Sequence, residues 1–523
     1  MGDPELKNKG DVAQSWELSP DKLTLTMKIN PNAKWSPPSA FLSQVVPQAV
    51  FNRQIDSDDV LTSWDVLGTN GLGRFELNNA ASPVAPITSV TAPDKSTVVF
   101  KLNKPDSAIL MTMSVSNVGY FYLVPKEAKT YEYKKAMLGS GPFYIDEYVP
   151  SSRMAFKRNP NLELRDEQKR PYLDAVTAVI LNDPAQGQAQ FRSGAFTGTV
   201  DGFAPLGVTA NDILPLKKDL PDLSLYQLPV GSDPQKMTFG GYSGVDSPFK
   251  DKRMRQAMMY AWDRDLYIDT IYNVPKFEAE GIAMETRYNA MMPNSTQGYP
   301  GGTYAPYYLN PQSKDFGANA KYFGSGDRTK DLTEAKALIK AVTGKDTWEF
   351  EHLWSLPNSF GPGTQTAVEV ITAMMKEAGL VATIKNLTTP EWLDKVQAKG
   401  GTYGNAVVTA IDSGGPDPAN YLFQHYHPQG TRFYAQGTPG DSRLTADIEK
   451  MKGEFDSAKR VQIAHDLQRY DAEQVFERRY MGGTNTFTLA WPAVQNGLVW
   501  RSDFPRQWAN IWFDTTKKPF SKT

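Results

Sequence analysis

The sequence predicts an α/β fold divided among several domains, and three observations predict it. At 523 residues the chain is too long for one compact core and should divide into roughly two to four domains. Its first ~160 residues are patterned as strands and turns. From about residue 240 onward, strands alternate with helices, the order that builds parallel sheets with helices on their faces.

Each part is legible in order. LTLTMKI (23–29) alternates apolar and polar residues as a half-buried strand does, and SVTAPDKSTVVFKL (89–102) reads as two strands joined by a turn at Pro93 and Asp94. GPFYIDEYV (141–149) and RMAFKRN (153–159) form a second hairpin-like pair. In DKRMRQAMMYAWDRD, Met254, Ala257, Met258, Ala261 and Trp262 fall on one helical face, which predicts core packing. TWEFEHLWS (347–355) reads as a strand, TQTAVEVITAMMKEA as a helix closed by Gly379, and LVATIK (380–385) as a strand. Strand, helix and strand in that order predict a right-handed βαβ unit with parallel strands. Thr389 is expected to cap a helix opening with Pro390, which leads to the apolar strand GNAVVTA. The charged, proline-free stretch 440–480 predicts exposed helices with one packed face, and FTLAWPAVQNGLVW predicts short strands around Pro492.

Composition excludes several function classes. No apolar run approaches the ~20 residues that a bilayer span needs. Lys plus Arg (56) nearly balances Asp plus Glu (58) with no basic stripe, so no nucleic-acid partner is expected. The absence of cysteine removes disulfides, thiolate metal sites and cysteine nucleophiles together. MGDPELKNKG has neither the basic start nor the apolar stretch of a signal peptide, which predicts a cytoplasmic chain or a processed start. The histidines are too few for many arrangements: His425 and His427 form an H-x-H pair, but no H-E-x-x-H accompanies it, and no metal is expected. GYSGV (241–245) lacks the second glycine of a nucleophile elbow, and neither GSGDRTK (324–330) nor TGKDT (343–347) completes a phosphate loop, so neither catalysis nor a cofactor is predicted.

The informative stretch is IDSGGPDPANYLFQHYHPQG (411–430), directly after the strand GNAVVTA. Asp412 and Asp417 bracket Gly414, Gly415 and Pro416 on a loop that ends the strand, and ligands of open α/β sheets bind outside the carboxyl ends of strands. Asp412, Asp417 and Ser413 of this loop are therefore ligand-binding candidates. Trp354, Tyr421 and Tyr242 join them as aromatic walls, because such rings offer flat apolar faces with one polar group.

WELSPDKLTLTMKINPNAKW (16–35), DSDDVLTSW (56–64), SVTAPDKSTVVFKLNKP (89–105), GSGPFYIDEYVPSSRMAFKRNPNL (139–162) and SPFKDKRMRQAMMYAWDR (247–264) resemble, in this order, segments of the family 5 extracellular solute-binding proteins. These are the dipeptide, oligopeptide and nickel receptors of ATP-driven (ABC) importers. The resemblance implies a type II periplasmic-binding-protein fold, two lobes around a hinge plus an extra strand-rich small domain. On that analogy residues 1–160 are the small domain, 161–238 and 484–523 the first lobe without its N-terminal strand segment, and 239–483 the second α/β lobe. Chain crossings near 231–239 and 481–486 would form the hinge, with SDPQK and MGGTN as flexible residues. The resemblance also implies that Asp412 holds the free amino group of the ligand, with Asp417 as its competitor.

The expected function is thus an extracytoplasmic receptor, periplasmic or anchored at the cell surface as a lipoprotein. It would act as a monomer, enclosing a small-molecule ligand, a short peptide or similar amine-bearing solute, and delivering it to a membrane permease without covalent chemistry. One alternative is an oligosaccharide receptor of the same fold that stacks sugar rings on Trp354. Another is a glycoside hydrolase using Asp412 and Asp417 as a carboxylate pair ~5 to 9.5 Å apart.

Overall fold

The computed structural model describes residues 10–521 apart from 72, 115–120, 182, 197–198, 202–209, 231–234, 241–245, 294–304, 356–361, 399–402, 412–416, 434–439, 480 and 497–507. The chain forms two compact units: Met1–Gln186, Ser193–Thr199 and Trp491–Thr523 make the first, and Gly187–Arg192 with Val200–Ala490 the second.

In the first unit, strands β1 (Ala13–Leu18), β2 (Thr24–Ile29), β3 (Ile87–Asp94) and β4 (Thr97–Leu102) build an antiparallel sheet in the order β1-β2-β4-β3. Alternation turns Leu25, Val98, Phe100 and Leu102 inward, where helix α1 (Ser57–Asn70) covers them with Val60 and Leu67. The β3–β4 turn falls at Lys95 and Ser96, just past the expected Pro93 and Asp94, which still belong to β3; Asp94 Oδ1 closes it by accepting from the Ser96 N–H at 2.7 Å and from the Ser96 hydroxyl at 2.7 Å. Those hydrogen bonds hold the Asp94 carboxyl down at about 2.

The acidic run DSDDV has a local explanation. Asp56 caps α1, while Asp59 accepts from the Asp56 N–H, the Lys126 N–H and the Arg53 guanidinium, at 2.7 to 3.0 Å. Asp59 is fully buried and joins three chain segments, so this motif organises the unit. The predicted hairpin forms as β5 (Phe143–Val149) and β6 (Arg153–Arg158), and β7 (Ala175–Val179) adds a third strand, which carries the strand-rich part past residue 160.

Apart from Thr199, the second unit holds a sheet in which β8 (Thr199–Asp201), β9 (Ser224–Val230) and β11 (Thr286–Tyr288) gather around the nine-residue β16 (Gly482–Ala490). Its other sheet has five strands. β10 (Gln235–Phe239), β12 (Trp348–Ser355), β13 (Leu380–Leu387), β14 (Val407–Ile411) and β15 (Glu477–Arg479) run in the order β13-β12-β14-β10-β15. β12 pairs in parallel with both β13 and β14, whereas β10 lies antiparallel to β14 and β15.

Helices α2 (Lys252–Ala261), α3 (Arg328–Thr343) and α4 (Pro362–Glu377) pack on this sheet. Met254, Ala257, Met258, Ala261 and Trp262 are all buried, the core stripe that the spacing predicts. Gly379 ends α4 region at φ +93°, where an added Cβ would lie 2.5 Å from the Asp346 carbonyl oxygen. One cap moves by a residue: Thr388, just before α5 (Thr389–Trp392), caps it, its N–H and hydroxyl both donating to Glu391 Oε2. The expected flexibility of SDPQK does not extend to its last two residues. Gln235 and Lys236 are buried in β10, Gln235 paired with β14 and Lys236 with both β14 and β15.

Candidate functional site

The strand directions of the five-stranded sheet bring the carboxyl ends of β12, β13, β14 and β15 to one edge, with the amino end of β10. Gln235 begins β10 opposite Ile411, the last residue of β14, and its Nε2 donates to the Thr364 carbonyl at 3.0 Å. That bond fixes the first turn of α4 to the same edge. Trp354, next to last in β12, pairs in register with Thr409 of β14 and Asn386 of β13 and is fully buried. After β14 come residues 412–416 and then α6 (Pro418–Tyr426). Asp412, Ser413 and Tyr242 lie outside the described residues.

Asp417 is taken up by structure. Its side chain caps α6 by accepting from the N–H groups of Ala419 at 2.8 Å and Asn420 at 3.2 Å. Both its oxygens also accept from Arg460 Nη2, at 2.7 and 2.8 Å. Arg460 comes from α7 (Ser457–Gln474), and its guanidinium lies over the Tyr307 ring. The carboxylate therefore serves helix and arginine together. Tyr421 is fully buried in α6, packs its ring 4.6 Å from that of His425 and donates its hydroxyl to the Met291 carbonyl at 3.4 Å.

Two buried groups escaped sequence reasoning. Lys236 of β10 donates to His425 Nδ1 at 2.5 Å and to both Glu477 oxygens at 3.0 and 3.1 Å, and all three side chains are fully buried. The trio ties β10, α6 and β15 together, and no local signal announces it because Lys236 and Glu477 are 241 residues apart. The second is His352 of β12, whose Nδ1 lies 2.9 Å from Thr372 Oγ1 and whose Nε2 lies 2.7 Å from Thr409 Oγ1. The Thr372 hydroxyl donates to the Val368 carbonyl, so it accepts from His352 Nδ1–H, and Nε2 accepts from Thr409. Burial pulls the pKa of His352 down to about 3 and keeps the ring neutral.

The most specific motif, RMRQAMMYAWDR, turns out to be architectural. Arg255 donates to the carbonyls of Gln474 and Val475 at the end of α7 and to those of Phe249 and Lys250. Burial draws its pKa down to about 10, with Asp471 and Asp251 working the other way. Arg264 donates to the Phe323 carbonyl at 2.5 Å. These arginines hold the second unit together.

Comparison with known proteins gives the arrangement a family. The model of the bacterial extracellular solute-binding proteins, family 5 (Middle), matches residues 7–433. A putative ABC transporter peptide-binding protein of Brucella ovis is 26% identical over 425 residues, which span 80% of this chain and 68% of that protein. The dipeptide-binding protein of Escherichia coli is 23% identical over 429 residues, 79% of this chain and 69% of that one. Among solved structures, AgaA of A. tumefaciens R10, in complex with agropinic acid, superimposes with a TM-score of 0.70 at 19% identity, covering 96% of this chain and 89% of that one. DppA of Helicobacter pylori, in complex with the peptide STSA, gives 0.70 at 16% identity over 96% and 88%. The family consists of transport receptors without catalytic activity, so the carboxylate-pair hydrolase is set aside, and the commitment of Asp417 to Arg460 accords with that. The chain belongs to the bacterial extracellular solute-binding proteins, family 5, and is a substrate-binding receptor of an ATP-driven importer.

Proposed function

We propose that the ligand is a short peptide, or a similar solute with a free amino group, held at the carboxyl edge of the five-stranded sheet. The observation that carries this reading is the double commitment of Asp417 to its helix and to Arg460. Asp412, the first residue after β14, is then the carboxylate of this stretch assigned to the ligand ammonium, in a charge-assisted hydrogen bond that strengthens as water is excluded. Ser413 lies beside it in sequence, Trp354 and Tyr242 serve as aromatic walls, and Tyr421 lies buried within α6. The receptor acts outside the cytoplasm, in the periplasm or anchored at the cell surface, as a monomer that hands its ligand to a membrane permease.

A thermal-shift screen against short peptides, oligosaccharides and amine-bearing metabolites, repeated with Asp412→Asn, tests the reading. A ligand at ~100 times its dissociation constant adds about 2.7 kcal/mol of stability. Peptides should stabilise the wild type and lose that effect in the variant. Sugars that stabilise both proteins equally would replace this reading with the oligosaccharide receptor. The likeness to AgaA, solved with agropinic acid, gives a second reading of a non-peptide small acid, which the same screen distinguishes.

A further inference from the structure

Among the described residues, four buried polar atoms at the carboxyl edge of the five-stranded sheet stand without a hydrogen-bond partner. Two belong to one side chain: Asn420, in the first turn of α6, is fully buried, and neither its amide oxygen nor its amide nitrogen is bonded. The others are Nε1 of Trp354, near the end of β12, and Oε1 of Gln365, in the first turn of α4. A buried polar group without a partner costs more than a typical hydrogen bond gains, and folded proteins rarely keep one without a use. Leucine would fill the space of Asn420 without that cost, so packing does not explain an asparagine at this position.

The chemistry of the four atoms is complementary to a peptide main chain. A carboxamide carries a donor and an acceptor side by side. An extended peptide residue directs its own N–H and C=O toward one side, as paired residues do across an antiparallel ladder, so a single carboxamide can satisfy both. We propose that Asn420 reads the main chain of the ligand in this way, with Trp354 Nε1 as a further donor and Gln365 Oε1 as a further acceptor. The proposal rests on the peptide reading above and deepens it. Recognition through main-chain groups is indifferent to ligand side chains and sensitive to blocking of a ligand N–H.

The test uses the full chain, trialanine and the two mono-N-methylated forms of trialanine, followed by titration calorimetry and thermal unfolding. For the wild type, methylating the N–H that Asn420 reads should weaken binding about ten- to hundredfold, the loss expected when one buried hydrogen-bonding group is left unsatisfied. Asn420→Leu should melt at a higher temperature without ligand, because two unsatisfied atoms are gone, yet bind trialanine about ten- to hundredfold more weakly and no longer distinguish the methylated form. A merely structural asparagine would not alter that discrimination. The proposal is overturned if both methylated forms bind the wild type like trialanine, or if Asn420→Leu binds and discriminates as the wild type does; the amide then holds a structural water. Should Asn420→Leu fail to fold, the methylated probes on the wild type still decide. If neither trialanine nor any peptide of the screen binds the wild type, the peptide reading itself falls and this inference with it, an outcome distinct from unchanged binding in the variant.

Discussion

At Asp417 a helix cap and an ion pair share one carboxylate, and both would be lost with its charge. Asp417→Asn removes the carboxylate that pairs with the largely buried Arg460, which should destabilise the protein by about 3 kcal/mol. Urea unfolding measures that loss. The same variant should still bind the ligand of the wild type, in contrast to Asp412→Asn, and a failure to bind in the folded state would reassign the ligand carboxylate. His352 makes a second prediction at this scale. Its folded pKa, about 3, lies below the ordinary 6.5, so the unfolded chain takes up a proton that the folded chain refuses. Stability is full above pH 6.5 and falls between 6.5 and about 3, amounting to a loss of about 2 kcal/mol at pH 5. Unfolding curves at pH 7 and pH 5 should show this decrement in the wild type and lack it in His352→Gln, whose amide can meet both threonine hydroxyls without titrating.

At the scale of elements, α6 is fastened near both ends, by Asp417 to α7 and by His425 to β10. The loop preceding it carries the proposed ligand carboxylate, so these fastenings bear on function through position. Lys236→Met breaks the buried ion pair with Glu477, and a loss of about 3 to 5 kcal/mol is expected. Adding Glu477→Gln removes the second buried charge of the pair, so the double variant should regain most of that stability in a double-mutant cycle. Additive losses would mean that the two side chains act independently. Most of these elements were readable. Gly379, the Met and Ala stripe of α2 and the apolar run of β14 are local signals, each set by backbone freedom or by burial of one face. The Thr388 cap was missed by one residue because two adjacent threonines offer the same hydroxyl, and only Glu391 chooses between them.

For the whole molecule, the alternation of strands and helices and the ordered motifs were enough for the α/β class and the family, since both depend on near-neighbour patterns. The carboxyl edge as the proposed ligand side was also an expectation the sequence allowed, because a parallel strand order fixes where the connecting loops emerge. What the tertiary structure decided was the use of each polar side chain. Asp412 and Asp417 look equivalent in sequence, yet Asp417 meets an arginine 43 residues away. Arg255, within the motif that most resembles the family, bonds backbone carbonyls of residues over two hundred positions distant. Asn420, which no motif marks, has neither amide atom bonded among the described residues. The physical reason is common to all three. Secondary structure answers to periodicity and conformational preference along the chain, whereas the satisfaction of a buried charge or amide depends on groups that only folding brings within about 3 Å.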